Sequence, residues 1–231
     1  MQITKSRGFM ASMISAMPGM RSQFILIALS IFLSAGCATT NLHQRGLAAD
    51  ERGEYDRAVQ HYMEHLKKHP DDLPARNDLG VAYLRNGKYD LAFLEFKKVL
   101  IRDPKYVRAY YNIGLVFGFK GLIDEEINAY RQALLIDPDH RPSRLNLAHV
   151  YLEQGKIDQA TQIYEDVLRK FPNQSRALYN LALIYDQDGK TAEAIAFLER
   201  LLRLDQRRID PTLSRKEAKR HLKRLKAAQG R

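Results

Sequence analysis

The sequence is poor in three features on which many protein classes depend: cysteine, long apolar runs and basic charge spread along the chain. Cys37 is the single cysteine among 231 residues, which excludes an internal disulfide and a metal site built from several cysteines. The apolar run from Phe24 to Leu33 would span only about 15 Å as a helix, half of a bilayer's hydrocarbon core. This run therefore does not predict a stable transmembrane helix.

The basic charge lies at the two ends of the chain. The whole sequence has 37 Lys and Arg against 27 Asp and Glu, a net charge of +10. Residues 1–36 contribute three bases and no acid, and residues 203–231 contribute eleven bases and three acids. The stretch between them, 37–202, is close to neutral. This distribution excludes a basic groove along the body, so we expect no nucleic acid among the partners.

Motifs for catalysis are almost absent. The sequence has no glycine-rich phosphate loop, nucleophile elbow or carboxylate pair with a plausible pocket. The string His61-x-x-Glu64-His65 places two histidines four residues apart, a spacing that could hold zinc with the glutamate as general base. Tyr62 inside it follows a packing pattern, and no third ligand is visible. We expect no enzyme, metal or cofactor; a zinc-dependent hydrolase is kept as an alternative.

The segment that ends at Cys37 has the layout of an export signal: Arg21, the apolar run, then small residues. Leu33-Ser34-Ala35-Gly36-Cys37 resembles the lipobox of bacterial lipoprotein precursors. That resemblance implies cleavage of a signal peptide, residues 1–36, and acylation of Cys37 with chains such as palmitate, leaving residues 37–40 as a tether. The absence of aspartate after the cysteine favours the outer membrane, facing the periplasm. An ordinary signal peptide and an uncleaved anchor are the alternatives.

The remainder of the chain repeats with a period of 34 residues. Prolines recur at this interval: Pro70, Pro104, Pro138 and Pro172. Glycines do the same: Gly53, Gly87, Gly121, Gly155 and Gly189. A column of large residues follows: Tyr62, Phe96, Tyr130, Tyr164 and Leu198. Apolar residues within each repeat keep helical spacing, which predicts two helices of about 14 residues joined at the glycine.

These columns resemble the tetratricopeptide repeat (TPR) family, for example in Val107-Arg108-Ala109-Tyr110-Tyr111-Asn112-Ile113-Gly114. The resemblance implies an all-α solenoid of about five helix-turn-helix repeats. We predict these repeats within 39–208: 39–72, 73–106, 107–140, 141–174 and 175–208. Two departures are Glu126, in a column of packing alanines, and Gln206, where a proline is expected. Residues 209–231 predict a basic capping helix that begins with the Ser214 and Glu217 capping box.

The family resemblance places the partner site on the inner face of the solenoid. The candidate lining residues lie on the first helix of each repeat: Asp78, Arg108, Tyr111, Asn112, Phe119, Asn146, His149, Arg176, Tyr179 and Asn180. Asparagine amides can bond a peptide backbone, and tyrosines offer contact area at low entropy cost. Asparagine at this place also belongs to the family consensus, so a purely structural role is the alternative.

The expected function is a membrane-anchored envelope scaffold that binds a protein or peptide partner. Similar outer-membrane TPR lipoproteins include pilotins and adaptors of cell-wall hydrolases, which implies a role in pilus, secretion or cell-wall machinery. The basic terminal helix supports an alternative, binding to an anionic surface or a glycan. The sequence does not specify the oligomeric state.

Overall fold

A computed structural model describes residues 41–229 of the chain. Within this part the chain forms eleven α-helices and one short 3₁₀ turn, and no strand. The helices are α1 Leu42–Glu51, α2 Tyr55–Lys68, α3 Leu73–Arg85, α4 Tyr89–Arg102, α5 Val107–Phe119, α6 Ile123–Ile136, α7 Arg141–Glu153, α8 Ile157–Lys170, α9 Ser175–Gln187, α10 Thr191–Arg203 and α11 Arg215–Gln229. The prediction of an all-α solenoid of five helical hairpins and a capping helix is confirmed.

Each hairpin turns at its predicted glycine. The backbone of Gly87 has φ of +72°, a left-handed conformation that side chains with a Cβ rarely adopt. Lys88 N then donates to Tyr83 O at 2.9 Å, and Gly87 N donates to Leu84 O at 3.0 Å. This pair of bonds closes the end of α3 as a Schellman motif, which satisfies carbonyls that the helix leaves free. The other four glycines of the column have φ between +69° and +74°.

In the first three hairpins the two helices approach closely because the first helix has glycine where they cross. A Cβ built on Gly114 would lie 2.4 Å from Cε1 of Tyr130, and one on Gly80 would lie 2.5 Å from Cε1 of Phe96. Real Cβ atoms do not approach so closely, so the ring occupies the space that the glycine leaves. Small residues recur in this register at Gly46, Gly80, Gly114, Ala148 and Ala182, so they complement the column of large residues.

The buried apolar residues form three clusters along the stack. The first joins α1, α2 and α3, and the second joins α3 to α6 around Phe96 and Val116. The third and largest runs from Ile127 in α6 to Leu225 in α11. A single hairpin cannot bury its apolar face, so each repeat depends on its neighbours for stability.

Helix α11 closes the last repeat. Ala218 and Leu225 are buried against the preceding helices, and the Ser214 hydroxyl accepts a hydrogen bond from Glu217 N at 3.2 Å. The fifth repeat has a 3₁₀ turn at Gln206–Arg208 where the other repeats have their proline turn. The predicted capping role of the C-terminal segment is confirmed over the described residues.

Candidate peptide-binding surface

The first helices of the repeats, α1, α3, α5, α7 and α9, line the inner side of the stack. Helix α1 contacts α3, and α3 contacts α5, although a second helix lies between each pair in sequence. Neighbours on the inner side of a curved stack are closer than those on the outer side, so these contacts identify the concave face. The predicted lining residues all lie on four of these helices.

Hydrogen bonds link the first helices side by side, between residues 35 positions apart. His43 Nε2 lies 2.8 Å from Asp78 Oδ2, which joins α1 to α3. Asn112 Nδ2 donates to Asn77 Oδ1 at 3.0 Å, which joins α3 to α5. Asn112 is only 7% exposed, so in the described structure its amide holds two repeats together. Asp78 is half-buried and shares its carboxylate with the histidine.

A longer chain of hydrogen bonds joins the third, fourth and fifth repeats. Arg176 Nη1 donates to Asn146 Oδ1 at 3.1 Å, and Asn146 Nδ2 donates to the Tyr130 hydroxyl at 3.3 Å. The Tyr130 hydroxyl in turn donates to the carboxylate of Glu126. Tyr130 is 1% exposed, and burial raises its pKa. These hydrogen bonds fix the side chains of Asn146 and Arg176 in the absence of a ligand.

Glu126 occupies a place where the other repeats have alanine, and Gly118 makes room for it. A Cβ on Gly118 would lie 2.8 Å from Glu126 Oε1, while the corresponding positions of the neighbouring repeats carry Leu84 and Leu152. Burial raises the pKa of Glu126; the Tyr130 hydrogen bond partly offsets this effect, and the charge of Glu153 adds to it. The sequence marks Glu126 as a departure from the repeat, but its pairing with Gly118 becomes visible only in the structure.

The structure brings Tyr111, Asn146 and Arg176 together, all in the N-terminal halves of their helices. The Tyr111 hydroxyl lies 3.5 Å from Asn146 Nδ2, and its ring meets His140 edge-on with centroids 5.4 Å apart. Burial raises the pKa of Tyr111 and lowers that of His140, whose proton the nearby Arg108 also disfavours. His140 precedes α7, and nothing in the repeat pattern of the sequence marks it as a site residue.

Arg108 is exposed, and no acidic side chain pairs with it among the described residues. Because helix N-termini carry partial positive charge, the ends of α5, α7 and α9 add to the charges of Arg108 and Arg176. The combination of two arginines, a tyrosine ring and an amide is suited to an extended peptide with acidic groups. We call Arg108, Tyr111, His140, Asn146 and Arg176 the basic inner cluster.

The other predicted lining residues lie apart from this cluster. Phe119 is 63% exposed at the end of α5, and its ring stacks on Tyr89 with centroids 5.5 Å apart. His149 is exposed and lies 3.4 Å from Glu153. Tyr179 is half-buried against the third core cluster, and Asn180 Nδ2 donates to the Tyr164 hydroxyl at 2.7 Å. Direct contact of these residues with a partner stays a prediction.

The geometry does not favour zinc at His61-x-x-Glu64-His65. His65 is buried, and its Nε2 lies 2.7 Å from Asp72 Oδ2. Glu64 is exposed and faces Lys68 at 3.9 Å. Within residues 41–229, no three side chains of the types that bind metals converge on one point.

The basic helix α11 has both paired and free cations. Arg215 donates to the carbonyl of Leu204 at 3.0 Å, and Arg224 pairs with Asp186 at 2.6 Å. Lys216, Lys219 and Lys223 are exposed and have no acidic partner in the described part of the chain. Their spacing places them on one side of the helix.

The predicted lipid anchor, Cys37, its signal peptide and its tether lie outside the described residues. Among the described helices, none has both the length and the apolar character needed to cross a bilayer.

Comparisons with known proteins agree with the geometry of the stack. A tetratricopeptide repeat model matches residues 43–107 and 145–209, and another matches residues 107–140. The structure of pilF from Pseudomonas aeruginosa is similar with a TM-score of 0.70 at 20% identity, covering 82% of this chain and 83% of that chain. TTC0263, a thermophilic TPR protein of Thermus thermophilus, has a TM-score of 0.60 at 21% identity, covering 82% and 100%.

MamA has a TM-score of 0.58 at 25% identity, covering 68% of this chain and 92% of that chain. No curated protein matches the chain.

Proposed function

Because the chain belongs to the tetratricopeptide repeat family, we propose that it is a membrane-anchored envelope scaffold that holds a peptide segment of a protein partner on its inner face. The family fold is a protein-interaction scaffold and is generally not enzymatic. The observation that carries the proposal is the basic inner cluster. Within it, Tyr111, Asn146 and Arg176 are joined by hydrogen bonds across three repeats, so binding does not need to order these side chains.

The anchor and the location are part of this proposal. The lipobox-like sequence before Cys37 supports acylation at that residue, and two or three acyl chains would hold the protein permanently. Only about four residues separate Cys37 from α1, which allows roughly 14 Å of tether. The partner therefore meets the scaffold close to the periplasmic surface of the outer membrane. Pilus, secretion and cell-wall machineries are the processes that we propose.

The anchor has a direct test. Cells that express Cys37→Ser are expected to accumulate a longer precursor that takes up no labelled fatty acid. Normal acyl labelling of this variant would contradict the anchor, and it would leave the inner-face site untouched.

The inner-face site is tested by crosslinking in intact cells. A photo-crosslinking amino acid at Tyr179, on the inner face, should capture one protein that the same group at exposed Gln162, on the second helix of its repeat, does not capture. Arg108→Ala should lower the capture about fivefold, since a charged contact at a surface is worth up to about 1 kcal/mol. Arg169→Ala, which removes an exposed arginine from a second helix, is the matched control.

Capture of the same protein from both positions would refute the inner-face site. Unchanged capture in Arg108→Ala would show that the basic inner cluster is not part of the partner site.

A second candidate function rests on the free lysines of α11. Their charges support binding to an anionic surface such as phospholipid or lipopolysaccharide. Lys216→Gln with Lys223→Gln should weaken binding to vesicles that contain phosphatidylglycerol, and salt should weaken the wild-type binding. Lys67→Gln with Lys105→Gln removes the same charge elsewhere and should have little effect. Equal effects of the two pairs would show that only net charge matters.

A further inference from the structure

The outer face of the stack carries a groove at the junction of the second and third repeats. Helices α4 and α6 form its walls and α5 forms its floor, and its volume is about 430 Å³. Phe93, Ile113 and Phe117 are among the apolar residues that line it. This volume lies within the range of ligand pockets, roughly 300–1,000 Å³.

One cause of the groove is a missing hydrogen bond. In the other repeats, a side chain on a second helix bonds a tyrosine 20 residues later, on the next first helix. Tyr83 donates to Met63 Sδ at 3.5 Å, Arg131 donates to Tyr151 at 2.6 Å, and Tyr185 donates to Glu165 at 2.8 Å. At the groove the same pair is Lys97 and Phe117. Since phenylalanine has no hydroxyl, no such bond closes this crossing.

A second cause is a small side chain. The position of Ala129 carries His61, Glu95, Ile163 or Phe197 in the other repeats. In the preceding repeat, Glu95 on α4 forms an ion pair with Arg76 on α3 at 3.1 Å, and both side chains are largely buried. At the groove the corresponding residues are Ala129 and Tyr110, which leave the space between α4 and α6 open.

The rim of the groove is exposed and carries unpaired charges. Ile101 is 74% exposed on the α4 wall. Lys97 on α4 and Glu125 on α6 are exposed, and neither has an oppositely charged neighbour within 4.0 Å among residues 41–229. An exposed apolar residue beside an apolar groove, with free charges at the edges, is typical of a protein-docking site.

We propose that this outer groove, defined by Phe93, Lys97, Ile113, Phe117 and Ala129, binds an amphipathic helix of a protein partner. The apolar stripe of that helix enters between α4 and α6, as in other helix-in-groove complexes. Lys97 is the ninth residue of α4 and Glu125 the third of α6, so they are displaced by about 9 Å along these parallel helices. The partner helix therefore carries an acidic and a basic residue on opposite flanks, about six positions apart.

The proposal is tested with two synthetic helical peptides and the full chain in phosphatidylcholine nanodiscs. Both peptides carry the same leucine stripe; the first has glutamate and lysine placed to meet Lys97 and Glu125, and the second has these charges exchanged. The first peptide should bind more tightly, by about fivefold for each exposed pair. The double variant Lys97→Glu with Glu125→Lys should reverse this preference.

Two variants close the groove. Ala129→Phe places the residue of the fifth repeat on the α6 wall and should weaken binding of the first peptide about tenfold or more. Phe117→Tyr, which adds one oxygen within the pattern of the other repeats, should weaken it in the same direction. Ala227→Phe, at an exposed place on α11, is the matched control and should leave binding unchanged, as should Arg108→Ala on the inner face.

Equal peptide affinity in wild type and both groove variants would overturn the proposal. A peptide preference that does not reverse in the charge-exchanged variant would overturn the assigned polarity. If neither peptide binds and Ala129→Phe instead abolishes a concentration-dependent dimer, the occupant is a second copy of this chain and the proposal is wrong.

Discussion

The Tyr130 hydroxyl links the third repeat to Asn146 in the fourth, and removing it is a specific perturbation. Tyr130→Phe deletes one oxygen, which accepts from Asn146 at 3.3 Å and donates to Glu126. Phe96 occupies the same repeat position, so the ring alone fits. Tyr62→Phe is the matched control, because Tyr62 is also 1% exposed and its hydroxyl has no hydrogen-bond partner among the described residues.

The expected loss follows from the two bonds. A hydrogen bond between neutral groups contributes about 0.5–1.5 kcal/mol, and one to a charged group contributes about 1.5–3 kcal/mol. The bond to Asn146 is long, so it belongs at the low end, and the loss totals about 2–3 kcal/mol. In a domain of this size, each kcal/mol lowers the melting temperature by about 2–4 °C. Tyr130→Phe should therefore melt about 4–12 °C lower than wild type, and Tyr62→Phe within about 2 °C of it.

Thermal unfolding of the full chain in nanodiscs, followed by far-ultraviolet circular dichroism, measures both shifts. A double-mutant cycle with Glu126→Gln should show a coupling energy of about 1 kcal/mol between positions 126 and 130. The reasoning is refuted if Tyr130→Phe and Tyr62→Phe shift the melting temperature equally. It also fails if the cycle shows no coupling.

Three further perturbations have expected outcomes in the same unfolding assay. Since burial raises the pKa of Glu126 above its unfolded value, its contribution to stability is complete below the unfolded pKa and is lost as pH rises through the folded pKa. Glu126→Gln should therefore raise the melting temperature more at pH 7 than at acidic pH; a pH-independent effect contradicts this. Gly121→Ala, at φ +70° with open space around it, should cost about 1 kcal/mol from backbone strain alone, and no loss would contradict that. Leu225→Ala removes most of a buried side chain of α11 and should lower the free energy of unfolding by about 2–5 kcal/mol, whereas Lys223→Ala at an exposed position should lower it by almost nothing.

Most of the fold could be predicted because each repeat contains the residues that determine its own turn and its own helix crossing. The glycine column predicts the turns, and the pairing of Gly80 with Phe96 predicts the close crossing of two helices. Both features are local to one hairpin and recur at one interval, so the sequence alone reveals them. The capping helix follows from its polar surface and from Ser214 at its start.

The candidate sites were harder to predict because their contacts join different repeats. The amide of Asn112 was predicted to meet a peptide, but its hydrogen bond goes to Asn77, 35 positions earlier, which is one more than the repeat length. That offset depends on how neighbouring repeats rotate against each other, and no column in the sequence records it. The outer groove also depends on contacts between repeats. Phe117 lacks the hydroxyl and Ala129 lacks the larger side chain of the other repeats, and the effect of these differences is visible only when the contacts in the other repeats are known.

The division of the core into three clusters has a mechanical consequence. If a partner held on α5 to α9 pulls against a membrane attachment that precedes Asn41, the force enters through α1 and α2. Their small apolar cluster ends at Ala82, whereas the cluster behind the inner site continues to Leu225. The first hairpin should therefore unfold before the partner is released from the inner face. Each 34-residue repeat that unfolds would add about 110 Å of extended chain. Under tension, the connection between the membrane and the bound partner would therefore lengthen instead of breaking.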